Sequence, residues 1–348
     1  RNTEEGMSRK VAVLSLAAAI TLGLAGVAPA ASAKAQKTFT MGYSVGFLTD
    51  PFQAIEVDLT LAAAHKAGLK TLPVTNANGD AAKQITDFHN LVAEGAQGII
   101  TVPTDSDAIV PAISYASSKH VPVVAIDIGP SGGHAAMIVR ADNVRMGEDA
   151  CQVIGKQLDG KGIVLSMMGD QATTNGRDRT VGFADCMKKN YPGIKLIQRP
   201  TYWKPATAAA VAQTVVTATP KLAAIYMQSD SVMLPGVVNA LKTADRLTKV
   251  GAPHHIMLVS IDGTPLALKD IRAGLVDDVI SQPLNLYVKY GVYYLIQAME
   301  GHSFQVGPTD HDSHIVAFKG SFMDLLPAPV VTRANVDDPS LWGNHVKE

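Results

Sequence analysis

Gly98-Ile99-Ile100-Thr101-Val102 runs into Pro103-Thr104-Asp105-Ser106-Asp107-Ala108, then a helical stretch over 112–120, then a second apolar run over 121–126 that ends at Asp127. An uninterrupted apolar or β-branched run leaves no polar face for water, so each run reads as a strand buried on both sides. A helix between two such strands is the crossover that parallel strands need. The same alternation extends in both directions. Toward the amino end it gives strands over 39–45 and 70–74 and helices over 54–68 and 81–94. Toward the carboxyl end, helices over 147–158, 179–190, 206–218 and 235–244 alternate with strands over 162–167, 195–199, 223–227 and 256–261. The fold class is therefore α/β, with doubly wound parallel sheets.

The decisive stretch has a counterpart. Met227-Gln228-Ser229-Asp230-Ser231 also leaves a strand for a helix, and Val259-Ser260-Ile261-Asp262 ends its strand as Val124-Ala125-Ile126-Asp127 does. Two similar lobes follow, each with an Asp where a strand emerges. Ligands of open parallel sheets bind outside the carboxyl ends of the strands. Two such edges facing one another would enclose a cleft, with Asp127 and Asp262 reaching one ligand from opposite sides.

Composition narrows the function. A net charge of −1 with dispersed basic residues offers no stripe for phosphates, which argues against nucleic acid as a partner. Met7-Ser8-Arg9-Lys10, an apolar run over 11–28 and Ala31-Ser32-Ala33 form a charged start, an apolar middle and an A-x-A end. Residues 1–33 thus read as a pre-sequence and signal peptide cleaved after Ala33, in preference to an uncleaved anchor. With Cys151 the first cysteine, a lipid anchor at the cleavage site is not expected. Export would carry Cys151 and Cys186 into an oxidising compartment where pairing is permitted; whether they pair depends on a Cα separation that sequence leaves open.

The candidate pocket residues sit at strand exits: Asp50, Phe52, Asp127, Arg177, Trp203, Asp262 and Gln282. Carboxylates accept hydroxyl hydrogens, guanidinium and amide groups donate to oxygens, and aromatic rings lie against C–H faces. That set suits a polyhydroxyl ligand better than an anion. Hydrogen bonds to charged groups are worth about 1.5–3 kcal/mol each. Four or five of them, less ordering costs, give roughly micromolar binding, about −8 kcal/mol. Each residue also has a plain structural reading: an Asp after a strand caps a helix, Arg177 forms an ion pair at a helix start, and Trp203 fills the core.

At these positions the chain resembles the ribose-binding-protein type of periplasmic sugar-binding protein, a type I solute-binding protein of ABC importers. The resemblance runs from about Phe39 to Tyr294. It is carried by Pro103-Thr104-Asp105-Ser106-Asp107-Ala108, by Ala141-Asp142-Asn143-Val144 with Gly147, by Gly182-Phe183 after Arg177-Asp178-Arg179, and by Ile261-Asp262-Gly263-Thr264-Pro265. It implies sugar contacts at Asp50, Phe52, Asp127, Arg177, Trp203, Ser229, Asp262 and Gln282, with no cofactor and no metal. Departures at Asp50, Gln53, Val102, Ile128 and Ser229 point away from ribose itself, toward another aldose, a deoxysugar or a linear polyol. The implied lobes are 34–141 with 283–324 and 142–282 with 325–348. They are joined by three crossings, the third near 325–329, and the tail 338–342 lies on the second lobe. The implied protein is a periplasmic monomer that closes on its ligand about the hinge and presents the closed form to ABC permease subunits.

Rival readings have weaker support. Gly42-Tyr43-Ser44-Val45-Gly46 spells G-x-S-x-G, but a hydrolase elbow turns at once into a helix, and 47–51 intervene here. No phosphate-cradling glycine motif occurs. His254-His255 and His311-Asp312-Ser313-His314 read as solvated loops in preference to metal ligands. A sugar-responsive repressor would need a DNA-reading helix where the export signal stands. A sensor passing a sugar or small messenger to a chemoreceptor or sensor kinase has the same sequence features as a transport component.

Overall fold

A computed structural model describes residues 38–346, and the expected signal peptide lies outside the described residues. The first part of the chain runs β1 (Thr40–Val45), α1 (Pro51–Lys66), β2 (Lys70–Thr71), β3 (Thr75–Asn76), α2 (Ala81–Ala93), β4 (Gly98–Val102), α3 (Val110–Ser118), β5 (Val123–Ile126) and β6 (Met137–Ala141). The middle runs α4 (Asn143–Gln157), β7 (Gly162–Met168), α5 (Thr174–Asn190), β8 (Ile194–Pro200), α6 (Pro205–Ala218), β9 (Leu222–Met227), α7 (Asp230–Thr243), β10 (Met257–Asp262), α8 (Pro265–Ala273) and β11 (Asp278–Ser281). It closes with α9 (Leu284–Met299), β12 (Gly307–Pro308), β13 (His314–Phe318), β14 (Ser321–Leu326) and β15 (Val330–Val331).

These elements form two lobes, each a mostly parallel sheet between helices, with β12, β13 and β15 joined antiparallel at the edges. One sheet has the order β12-β13-β14-β6-β5-β4-β1-β2, with β3 also on β1; the other is β15-β11-β10-β9-β7-β8. Strand parity explains the unbroken apolar runs. Ile100, Val124 and Ile126 face one core with α1 and α9, while their neighbours Ile99, Val123 and Ala125 face a second core under α2 and α3. In the other sheet, Val164 and Val259 point one way and Leu165 and Leu258 the other.

The chain passes between the sheets after β6, after β11 and after β14. β14 pairs with β6 as far as Leu326 beside Ala141, so the third passage falls just beyond it. The passages are laced together. Ser281 N donates to Pro329 O at 2.9 Å, and Ala141 N donates to the Tyr287 hydroxyl at 3.0 Å.

Several elements differ from their sequence reading for local reasons. α1 begins at Pro51 because Asp50 caps it, its Oδ1 accepting from Phe52 N at 2.9 Å. α5 begins at Thr174, five residues before the expected start. Thr173 Oγ1 accepts from Gly176 N at 3.1 Å, which caps a first turn poor in helix-forming residues. α4 and α5 then pack so closely that a Cβ on Gly182 would stand 2.1 Å from Val144 O. Cys151 on α4 and Cys186 on α5 are bonded, with Cα atoms 6.1 Å apart, which settles the pairing left open above. The expectation of solvated His loops is corrected at two places. His311 stacks on Tyr290 with ring centroids 3.5 Å apart and bonds buried Asp324 at 2.9 Å, and His255 bonds Asp277 at 2.9 Å.

Candidate functional site

Where the carboxyl ends of the two sheets meet, a small cavity of about 20 Å³ is lined by Asp50, Phe52, Gln53, Asp127, Ile128, Asn175, Arg179, Trp203, Ser229, Asp262 and Gln282. Asp127 follows β5 and Asp262 ends β10, so the two acids enter from different sheets, both almost fully buried. Both have left-handed backbones, φ 57° at Asp127 and 122° at Asp262. Such conformations cost of order 1–3 kcal/mol each and persist where surroundings over-determine them. At Asp262 the restraint is visible: its carbonyl accepts from Gln282 N at 3.0 Å and from Trp342 Nε1 at 2.9 Å.

The Asp262 carboxylate is the best-satisfied group in the cavity. Ser229 Oγ (2.6 Å), Ser231 N (3.2 Å) and Gln282 Nε2 (2.8 Å) donate to it, and Arg179 Nη1 stands 3.8 Å away. Tyr287 donates to Gln282 Oε1 at 3.0 Å, tying this acid to the hinge. Asp127 accepts from Asn175 Nδ2 at 2.8 Å. Arg179 is held by Asn143 Oδ1 at 2.7 Å and Gln228 O at 2.6 Å, while its buried Nη2 has no hydrogen-bond partner among the described residues. A buried unpaired donor on a cavity wall is costly unless something in the cavity accepts from it.

Two aromatic side chains complete the walls. Phe52 meets Trp342 edge to face at 5.4 Å. Trp203 lies against Gly169 so tightly that a Cβ there would fall 1.8 Å from Cη2 of the indole. Its Nε1 donates to Thr173 Oγ1 at 3.3 Å. Trp203 also belongs to the apolar core of the second lobe, so its structural role and its place on the wall coexist.

Asp50 reaches across the cleft. Ser231 Oγ donates to Asp50 Oδ1 at 2.6 Å, and Ser231 and Ser229 hydroxyls are 2.9 Å apart. The chain Asp50, Ser231, Ser229, Asp262 thus contains three short contacts and only two hydroxyl protons. With each hydroxyl donating to its own acid, a proton placed on one of the acids would let all three contacts be hydrogen bonds. Burial first, and then the facing Asp262 carboxylate, push the Asp50 carboxyl up to about 7, which makes it the proton's holder near neutrality. Burial also raises Asp127 to about 6 against the pull of Arg179. Asp262 is raised by burial while Arg179 and its hydroxyl and amide donors oppose the rise. Behind them, Glu56 on α1 is fully buried with neither carboxyl oxygen hydrogen-bonded among the described residues. Desolvation, then Asp127 and Asp50, hold it well above the usual carboxylate range, so it is a neutral acid.

Ser44, the candidate nucleophile of the rival reading, is buried within β1 and accepts from Gln84 Nε2 at 3.3 Å. β1 ends at Val45 and α1 starts only at Pro51, so there is no elbow.

Residues 41–303 match the periplasmic binding protein domain. The chain is a member of the periplasmic binding protein family. It is 26% identical over 291 residues to a ribose import binding protein of Haemophilus influenzae, covering 84% of this chain and 94% of that one. It is 27% identical over 274 residues to a xylitol-binding protein of Mycolicibacterium smegmatis, covering 77% of this chain and 74% of the relative. In fold it resembles an ABC transporter solute binding protein from Mycobacterium smegmatis with bound glycerol. There the TM-score is 0.75 at 22% identity, over 86% of this chain and 96% of the other.

Of the eight site residues expected from sequence, this periplasmic binding protein brings Asp50, Phe52, Asp127, Trp203, Ser229, Asp262 and Gln282 onto one cavity. Arg177 is the correction. Because α5 starts at Thr174, Asn175 and Arg179 are one turn apart and share the cavity side, while Arg177 points about 200° away from Asn175. Its guanidinium instead bonds Gln171 O (3.0 Å), Ser131 Oγ (3.2 Å) and Asp107 Oδ2 (3.3 Å). The misreading came from starting the helix at Arg179, which left Asn175 and Arg177 in a loop. Asn175 and Arg179 had a signal there, and i,i+4 spacing from the right cap would have found them. Ser231, Glu56 and Trp342 had none, since their roles exist only once the two lobes meet.

Proposed function

We propose that this periplasmic binding protein captures a single small sugar or polyol between its lobes and delivers it to the permease subunits of an ABC importer. The observation that carries this reading is the pair of buried acids, Asp127 and Asp262, brought from different sheets onto one cavity with an unpaired guanidinium nitrogen and two aromatic walls. The contacts fall on Asp50, Phe52, Asp127, Arg179, Trp203, Ser229, Asp262 and Gln282, with Arg179 in the place expected for Arg177. Carboxylates take hydroxyl protons, Arg179 Nη2 donates to a ring or hydroxyl oxygen, and Phe52 and Trp203 cover C–H faces. The cavity has only about 20 Å³ open to a water-sized sphere, so the lobes must part to admit a ligand.

Delivery depends on closure. The moving bodies are residues 38–141 with 283–326 and residues 142–282 with 327–346, turning about the three laced passages. Only a ligand bonded to both bodies favours the closed form. Protein contacts add to it: Arg140 to Asp178 at 2.8 Å, Ser106 Oγ to Thr174 N at 2.9 Å, and Arg177 to Asp107 at the rim. The protein works in the periplasm, its leader removed after Ala33, and carries out no chemistry on its ligand. A thermal-shift screen against pentoses, hexoses, deoxysugars and four- to six-carbon polyols tests the reading. A ligand at 100 times its Kd stabilises by about 2.7 kcal/mol. Asp127→Ala and Asp262→Ala should each abolish the response, and unchanged binding in both would remove this cavity from consideration.

A further inference from the structure

The charges around the cavity do not balance for a neutral guest. Asp50, Asp127 and Asp262 line it, and Arg179 is the cation among its lining residues. The carboxylates are almost fully buried, so solvent does little to compensate them. Arg179 faces Asp262 at 3.8 Å, and Arg140 lies behind Asn175, to which it donates at 2.9 Å. Among the described residues, nothing comparable faces Asp50. The charged or titratable groups around it are Asp262 from β10, Asp127 from the end of β5 and Glu56 on its own α1, all acids. Its two hydrogen bonds, from Phe52 N and Ser231 Oγ, both fall on Oδ1. Two things can balance Asp50: a proton, as in the hydroxyl chain to Asp262, or a cation brought by the ligand.

We propose that the ligand is a polyhydroxylated amine, an amino sugar or amino polyol, whose ammonium group lodges against Asp50 and whose oxygen accepts from Arg179 Nη2. The inference rests on the sugar-or-polyol reading of the cavity and narrows it. The unpaired Nη2 of the buried Arg179 demands an acceptor at one end of the guest, and the uncompensated acid asks for a cation at the other. Arrival of the ammonium displaces the proton that burial and Asp262 otherwise keep on Asp50 near neutrality. Hydroxyls between the two ends meet Asp127 and Asp262. A neutral guest leaves Asp50 protonated and gains no ion pair from it.

Calorimetric titration of the full chain at pH 7 with matched pairs tests this: serinol against glycerol, glucamine against sorbitol, and an inosamine against myo-inositol. The amine of at least one pair should bind about tenfold or more tightly than its hydroxyl counterpart, the scale of one desolvated charge-assisted contact. Asp50→Asn should bring that ratio close to one, the amine losing about tenfold more affinity than its hydroxyl counterpart. Asp50→Ser, which keeps an oxygen to cap α1, serves as the second variant if the first fails to fold. Hydroxyl members that bind as well as or better than amines overturn the proposal and leave the sugar-or-polyol reading standing. Silence from both members of every pair, and from the wider screen, removes both. An amine preference that survives both Asp50 variants also overturns it.

Discussion

Asp50→Asn should make the protein more stable as pH rises, with no ligand present. Burial and the Asp262 carboxylate raise the Asp50 carboxyl from 3.8 to about 7 in the folded protein. A group whose folded pKa lies above its unfolded one supports the fold fully below the unfolded value. That support is lost as pH climbs through the folded value. Each pKa unit is worth about 1.36 kcal/mol, so by pH 8 the ionised Asp50 costs about 4 kcal/mol relative to pH 4. That is a ceiling, because Asp127 and Asp262 relieve part of the same repulsion by taking protons themselves. Asparagine keeps the cap without the charge: its oxygen can accept from both Phe52 N and Ser231 Oγ, the two bonds that Asp50 Oδ1 makes. At roughly 2.1 cal/mol/K of unfolding entropy per residue, 1 kcal/mol moves Tm by about 1.5 °C in a chain of this length. Circular dichroism melts from pH 4 to 8 should therefore show the variant's Tm advantage growing from near zero to as much as about 6 °C. An advantage that is flat or shrinks with pH means that Asp50 is not the proton holder.

Other expectations are simpler to check. Arg179→Met should weaken binding by about 10- to 100-fold, as for a buried charged hydrogen bond, whereas Arg177→Met should change it less than about fivefold, as for an exposed ion pair; titration calorimetry distinguishes them. Removing the Cys151–Cys186 bond by Cys151→Ala with Cys186→Ala should cost about 4 kcal/mol by the loop entropy of its 35-residue separation, read by urea denaturation. Gly169→Ala should drive Trp203 off its wall, because a Cβ would stand 1.8 Å from the indole. The expected result is a shifted tryptophan emission, weaker binding and a loss of about 1–3 kcal/mol from overpacking.

Much of the site was readable because its members lie where parallel strands end. Asp127 and Asp262 need only a strand, an exit and the rule that ligands gather at carboxyl edges. Arg177 failed for a local reason. Thr174-Asn175-Gly176 has poor helix propensity, so the first turn of α5 looked like loop, and a start misplaced by five residues left Asn175 and Arg177 without a helical face. The hairpin of β13 and β14, which extends the first sheet antiparallel, went unread because no helix separates its strands, which breaks the strand–helix alternation. Asp50 was read as a ligand contact or a helix cap, and it caps α1 and lines the cavity at once.

Residue order alone determined the alternation of strand and helix, the doubling into two lobes and the acids at the strand exits. All three follow from patterns only a few residues long, which local sterics and burial enforce. Tertiary structure alone decided that Asp50 meets Ser231 across the cleft, that Trp342 buttresses both Phe52 and Asp262, and that the Glu56 carboxyl is buried without a hydrogen bond among the described residues. Those facts concern charge and contact between segments up to 290 residues apart, and electrostatics in a dry cavity depends on separation in space, which no local pattern encodes.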